Sequence, residues 1–303
     1  MGRALLDLED PTVLGLLRIL LVSIASLSLL AHVGALGEYF SSESALAGRF
    51  AREAFPGRLS LFFLIESPLG VRIVFVVGFL AHLFWIVGLY SRPASVIVLV
   101  LWVSMMGRNP LLYSMPDQCL MTLLVLLFIT PSGSGLSLDA RLRDRGGTVP
   151  VWCRRLIQLQ VAMIYLSTGL YKVGPTWWEE GSAIYYTLVS PNNRHFDLTE
   201  IWAILQPWVL RPLTWAVLFW EITFVGFAIL NGIRETLRPR WLPDLRPAYL
   251  GFGIAMHLGT QALLYLVWFV PLMISAYVSF LSPAEARALL VRVRLPGLTP
   301  RAK

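Results

Sequence analysis

The sequence predicts an all-α fold: a polytopic bundle of about eight transmembrane helices with an aromatic loop region on its outer face. Composition carries the first argument. Of 303 residues, 56% are hydrophobic and 14% are charged, whereas a soluble domain carries about 25% charged residues. Mean hydropathy is +0.67. The second argument is that apolar runs close to spanning length recur along the chain. The third is where the positive charge falls, which sets orientation rather than class.

In order, the apolar segments run roughly 13–36, 69–89, 94–107, 117–131, 151–174, 208–231, 247–264 and 265–281. Asp7, Glu9 and Asp10 precede a full-length apolar run, so the first segment reads as a span and not as a cleaved signal. The third and fourth are short and read as tilted or partly buried. The last two meet around Leu264–Val267, which implies a tight hairpin; with those two merged, the count is seven. Residues 1–303 read as a single transmembrane domain, and 282–303 as a short basic cytoplasmic tail, either an interfacial helix or disordered.

With eight spans and an internal amino terminus, sixteen of the 25 Lys and Arg residues fall on the cytoplasmic side, among them Arg141–Arg155 and Arg234–Arg246, and five on the other. Both termini are therefore expected in the cytoplasm. The Glu38–Pro68 loop, Lys172 and the Trp177–Tyr186 loop then face outward. The net charge of +7 follows this topology and is no signal for nucleic acid. Two cysteines, Cys119 and Cys153, exclude a disulfide framework and a multi-cysteine metal site.

Ionisable residues inside apolar spans are the candidate site, because lipid makes them costly without a partner. Lys172 ends a span in Tyr165-Leu-Ser-Thr-Gly-Leu-Tyr-Lys172 and precedes the aromatic, acidic loop Trp177-Trp178-Glu-Glu-Gly181. It either snorkels to the interface or serves as a base, since a lysine in low dielectric loses proton affinity. Pairing with Glu179 or Glu180 would make it an interfacial ion pair. Glu221 is either a structural carboxylate bound to an arginine or hydroxyl, or a proton-handling group. His257 is either a packing residue or a catalytic one. His82 reads as structural; Arg18 snorkels or holds a carboxylate; Arg72 and Arg211 snorkel. Arg108, Asn109 and Asp117 form a polar hairpin in which an Arg108–Asp117 pair would hold the shape or face an anionic or quinone-like ligand. Trp177-Trp178 and Tyr185-Tyr186 mark an interfacial belt or a re-entrant segment.

No nucleotide-binding glycine loop, Gly-x-Ser-x-Gly elbow or zinc spacing occurs, and no metal is expected. The absence of an internal repeat weighs against a transporter.

Four stretches in order resemble the HTTM family, the membrane domain shared with vitamin K-dependent gamma-carboxylase. They are Asp10-Pro-Thr-Val-Leu-Gly-Leu-Leu-Arg18; Arg108-Asn-Pro-Leu-Leu with Asp117 and Leu136-Ser-Leu-Asp139-Ala; Thr168-Gly-Leu-Tyr-Lys172 with Trp177-Trp-Glu-Glu-Gly181; and His257-Leu-Gly-Thr-Gln-Ala-Leu. The resemblance implies a quinol- or lipid-linked enzyme at the extracytoplasmic face, with Lys172 as the base that deprotonates reduced vitamin K or another quinol. Glu221 and His257 would be proton or orienting groups, and Arg108, Asn109, Asp117, Trp177 and Trp178 would shape the pocket. Two departures limit this. The carboxylase carries a histidine where Gly133-Ser-Gly-Leu-Ser-Leu-Asp139 has only serine and glycine, and no large lumenal domain follows the last span, so a complete carboxylase acting alone is not expected. The alternative implied by stand-alone family members is a non-catalytic membrane partner in maturing or exporting a secreted peptide or protein. The implied partners are the lipid bilayer and a secreted peptide or separate extracytoplasmic subunit.

Overall fold

Helices occupy each of the eight apolar segments, but they are not equally suited to lipid. The computed structural model describes residues 6–44, 46, 48–142, 147–237, 239 and 241–292. Among them, three helical runs are long and apolar enough to cross a membrane: Thr12–Phe40, Pro68–Val87 and Thr199–Leu237. Met115–Ile129 and Phe269–Phe280 are shorter apolar helices. The helix Trp152–Tyr171 carries a polar turn with Arg154, Arg155 and Gln158.

The chain forms two compact units, Met1–Arg154 with Leu281–Lys303, and Arg155–Phe280. The boundary falls within a helix, so no linker composition marks it.

In the first unit, strand β1 (Leu8–Glu9) precedes α1 (Thr12–Leu30), α2 (Leu36–Phe40), α3 (Gly48–Ala54), α4 (Pro68–Val87), α5 (Ser91–Arg108), α6 (Met115–Ile129), α7 (Leu138–Leu142) and β2 (Val149–Pro150). Local chemistry sets the ends. Ser67 caps α4 by accepting from Gly70 N–H, and Pro68 follows at the first turn, where it has no bond to lose. Gly88 closes α4 at φ +73°, a left-handed cap that glycine adopts without strain. Ser114 and Asp117 form a capping box on α6. Helices α1, α4 and α5 pack around Leu29, Phe40, Phe62, Phe75, Leu101 and Met105. The two strands pair antiparallel, Leu8 opposite Pro150, and Arg154 grips Glu9 at 2.8 Å beside them.

The second unit begins in α8 (Trp152–Tyr171) and continues with α9 (Pro175–Trp178), α10 (Ala183–Val189), α11 (Thr199–Leu205), α12 (Arg211–Leu237), α13 (Arg246–Leu263) and α14 (Phe269–Ala276). One π turn over 206–210 joins α11 to α12 at Pro207, which offers no N–H for a regular turn. The expected hairpin lies between α13 and α14, where Leu264 bridges to Arg194. Packing in this unit is aromatic: Tyr165 meets Trp220 edge-on at 4.6 Å, and Phe227 stacks on Tyr249 at 4.6 Å.

The last helix, α15 (Pro283–Arg292), belongs to the first unit. It buries Ala286 and Leu290 and places Arg287 3.2 Å from Asp10. That supports a structured start to the expected tail. Its remainder, 293–303, and Arg3, Arg143, Arg145, Arg238 and Arg240 of the charge asymmetry lie outside the described residues.

Candidate functional site

Lys172 follows the last turn of α8, and its position against α12 depends on one small residue. A Cβ at Gly169 would stand 2.9 Å from Ile222 Cγ1 and 3.2 Å from Glu221 Cβ, so glycine lets the two helices approach there. Lys172 Nζ then meets the Glu221 carboxylate directly. The lysine side chain is 19% exposed and the glutamate 8%. The sequence left Glu179 and Glu180 as interfacial partners and an arginine or hydroxyl for Glu221. The structure joins Lys172 to Glu221 instead, through helix contact that spacing does not encode.

Trp177 lies 5.1 Å from Nζ, ring face toward the charge, a cation–π contact of about 0.5–2 kcal/mol. Trp178 donates from Nε1 to the Lys172 carbonyl at 2.8 Å. Its own carbonyl accepts from Trp215 Nε1 at 3.2 Å. Arg211 does not simply snorkel; its Nε donates to the Glu180 carbonyl at 2.8 Å. The aromatic loop is therefore fastened to the start of α12, and both tryptophans contact the lysine residue.

His257 is buried, 1% exposed, and two residues not singled out by sequence surround it. Tyr165 Oη lies 2.7 Å from His257 Nε2 and 2.5 Å from Tyr277 Oη. Tyr165 sits seven residues before Lys172, hence on the same face of α8, a signal available in the sequence. Tyr277 had none. Its hydroxyl has room only because Gly253 lacks a side chain: a Cβ there would lie 2.3 Å away.

The middle hairpin belongs to the first unit. The expected Arg108–Asp117 pair does not form. Arg108 is fully buried and donates to the carbonyls of Ser41, at 2.9 Å, and Leu46. Asn109 reaches the Tyr39 carbonyl at 3.4 Å. Asp117 accepts from Ser114 N at 2.8 Å to cap α6. Five guanidinium donors suit converging loop carbonyls, whereas a carboxylate at a helix start is already held by backbone N–H. Arg18 likewise does not snorkel; it is fully buried. It donates to the carbonyls of Gly135 and Leu136, at 2.9 and 2.6 Å, and to that of Ser132. The segment that lacks the carboxylase histidine is thus wrapped on Arg18, and it borders a cavity of about 340 Å³ lined in part by Ser91, Arg92, Thr130, Ser132 and Asp139. His82 is structural: its Nδ1 lies 2.7 Å from the Gly78 carbonyl, and its Nε2 accepts from Trp102 Nε1 at 3.1 Å.

A segment of 140 residues is 29% identical to the sporulation-delaying protein SdpB of Bacillus subtilis (strain 168), covering 46% of this chain and 40% of that one. The chain thus spans well under half the length of this relative. No solved structure matches. The profile of the HTTM domain matches residues 7–283, both units included. The chain belongs to the HTTM domain family.

Proposed function

We propose that this protein is a polytopic membrane enzyme in which Lys172 takes a proton from a lipid-soluble hydroxyl compound, a quinol, at the extracytoplasmic face. The proposal includes about eight spans and cytoplasmic termini. The observation that carries it is the largely buried pair of Lys172 and Glu221 beneath Trp177. A pair sunk in apolar surroundings gains little over a hydrophobic substitute, so stability alone is a weak reason to keep one. Transfer of the Nζ proton to the Glu221 carboxylate leaves an amine able to act as a base. The surroundings fit a phenolic lipid. Leu170, Tyr171 and Val173 are exposed and apolar, and the Trp177 ring shields Nζ. Lys172 would hold the hydroxyl, with Trp177 and Trp178 flanking the ring. When bound, a reduced quinone supplies the acidic hydroxyl and the reducing electrons.

The test is binding of a short-chain naphthoquinol to the full chain in nanodiscs across pH. Lys172→Met with Glu221→Gln removes the pair without stranding a buried charge. Saturable binding that depends on pH in the wild type and loses that dependence in the double variant supports the base. Identical curves overturn it.

A second reading is a non-catalytic partner for maturing or exporting a secreted peptide or protein. The similarity to a protein named for delaying sporulation and the exposure of Trp178 and Tyr186 favour it. It predicts a co-purifying exported partner that is lost on replacing Trp177 and Trp178.

A further inference from the structure

We propose that α11 and the π turn after it lie in the membrane interface, docked on the phospholipid leaflet at the Lys172 end of α12. Length sets the problem. Thr199–Leu237 is one helical run of 39 residues, about 58 Å at 1.5 Å per residue. The hydrocarbon core of a bilayer is about 30 Å thick. Helix α12 supplies 27 of those residues, about 40 Å, which is enough to cross with some tilt. Residues 199–210 are therefore surplus to the crossing.

The start of α12 marks the level at which the crossing begins. Arg211 and Trp215 hold the Glu180 and Trp178 carbonyls there; tryptophans gather at headgroup level, and arginine reaches for it. The segment before Arg211 either rises into water or lies along the leaflet. Its side chains favour the leaflet. Trp202 and Leu205 pack on Leu188, Leu210 and Leu264, which tethers α11 to the second unit. Ile201 and Ile204 share an adjoining face, and Ile204 is 73% exposed. Trp208, in the next turn, is 82% exposed. Glu200 and Ala203 are exposed beside them. One face on protein, one apolar and open, and one polar is the pattern of a helix lying in an interface.

Continuity names the occupant. Trp215, Phe219 and Ile229 are exposed too, and their spacing along the chain keeps them on one face of α12. Phe219 and Ile229 lie about 12 and 27 Å from the start of that helix, within the spanning length, where lipid is the solvent. The same apolar surface runs from them through Trp215 to Trp208 and Ile204. The leaflet that covers its lower part therefore meets its upper part at the interface. Trp208 makes no hydrogen bond or ring contact among the described residues. Its ring suits the acyl boundary, and its indole N–H is left for a phosphate or ester oxygen of a headgroup. Trp215 joins this surface to the aromatic loop over Lys172.

The experiment is fluorine NMR of the full chain, labelled with fluorotryptophan, in phosphatidylcholine nanodiscs. Trp208→Phe assigns the Trp208 resonance by its loss, and the exposed, unbonded ring makes that exchange tolerable to the fold. Two broadening probes are compared: phosphatidylcholine with a nitroxide at the top of its acyl chain, and a gadolinium chelate in the buffer. Free fluorotryptophan in the same buffer calibrates the chelate. The nitroxide lipid should erase the Trp208 resonance. The chelate, at a concentration that erases free fluorotryptophan, should leave it visible. Every other combination overturns the proposal. Loss to the chelate makes the segment a water-exposed surface, and survival of both probes means that protein, such as a second copy of this chain, covers it. Ile201→Ser with Ile204→Ser should weaken the seat, so that Trp208 becomes vulnerable to the chelate; an unchanged resonance there also counts against lipid docking. Quinol is absent throughout, so this result and the fate of the Lys172 base are independent.

Discussion

Replacing Gly253 with alanine tests the tyrosine chain through packing alone. The new Cβ would stand 2.3 Å from Tyr277 Oη and 2.7 Å from Trp220 Cζ2, where ordinary contact begins near 3.4 Å. The phenol must retreat by roughly 1 Å to recover normal contact. That stretches its 2.5 Å bond to Tyr165 to roughly 3.5 Å, beyond the hydrogen-bonding range. Overpacking costs about 1–3 kcal/mol, and a buried hydroxyl left without its partner about 1–3 kcal/mol more. Alanine returns about 1 kcal/mol of helix propensity. Net destabilisation of about 1–5 kcal/mol, centred near 3, is expected. Gly251 lies on the same helix and meets nothing within 4 Å of its would-be Cβ, so Gly251→Ala should be neutral or gain up to about 1 kcal/mol. The gap of about 3 kcal/mol is roughly a hundredfold in the unfolding equilibrium. Reversible unfolding in mixed detergent micelles, followed by helical circular dichroism, reads it directly. Equal midpoints for the two variants would refute the reasoning.

Three further outcomes follow from the same geometry. Lys172→Ala strands the Glu221 carboxylate and should cost about 3–5 kcal/mol, whereas Lys172→Met with Glu221→Gln should cost far less; the same micelle titration checks both, and equal losses would contradict a mutually compensating pair. Arg108→Lys surrenders the forked contacts to the Ser41 and Leu46 carbonyls and should cost about 1–3 kcal/mol, with faster proteolysis in the 41–46 stretch. The hydrogen bond from Arg246 holds the Asp244 carboxyl below the usual carboxylate range. Its folded value is depressed, so its stabilisation is present above roughly pH 3.9, the unfolded value, and is lost as pH falls through the folded one. Asp244→Asn should therefore be less stable than wild type at pH 7, with the difference closing in acid; a constant difference across pH would count against it.

Several features were legible because they depend on neighbours along the chain. Apolar runs marked the helices. Lys172, Glu221 and His257 stood out because charge and imidazole are rare in apolar helices. The four ordered stretches of family resemblance matched the HTTM domain. Some features were only half legible. Trp177 and Trp178 read as a belt, yet their contacts with Lys172 arise from the fastening of α9 to α12. Tyr165 shared a face with Lys172, but tyrosine is ordinary in an apolar helix and drew no notice.

Periodicity and burial are properties of adjacent residues, so the sequence by itself determined which segments are helical and which polar groups would need partners. Partner choice is made across helices, where the space at one glycine decides. Gly169 admits α12 close enough for Glu221 to reach Lys172, and Gly253 admits the Tyr277 hydroxyl to Tyr165. Gly135 brings its backbone against Pro11, so that loop carbonyls converge on Arg18. Only the tertiary structure could decide these, because a buried donor takes the acceptor that packing brings within 3 Å, whatever its distance along the chain.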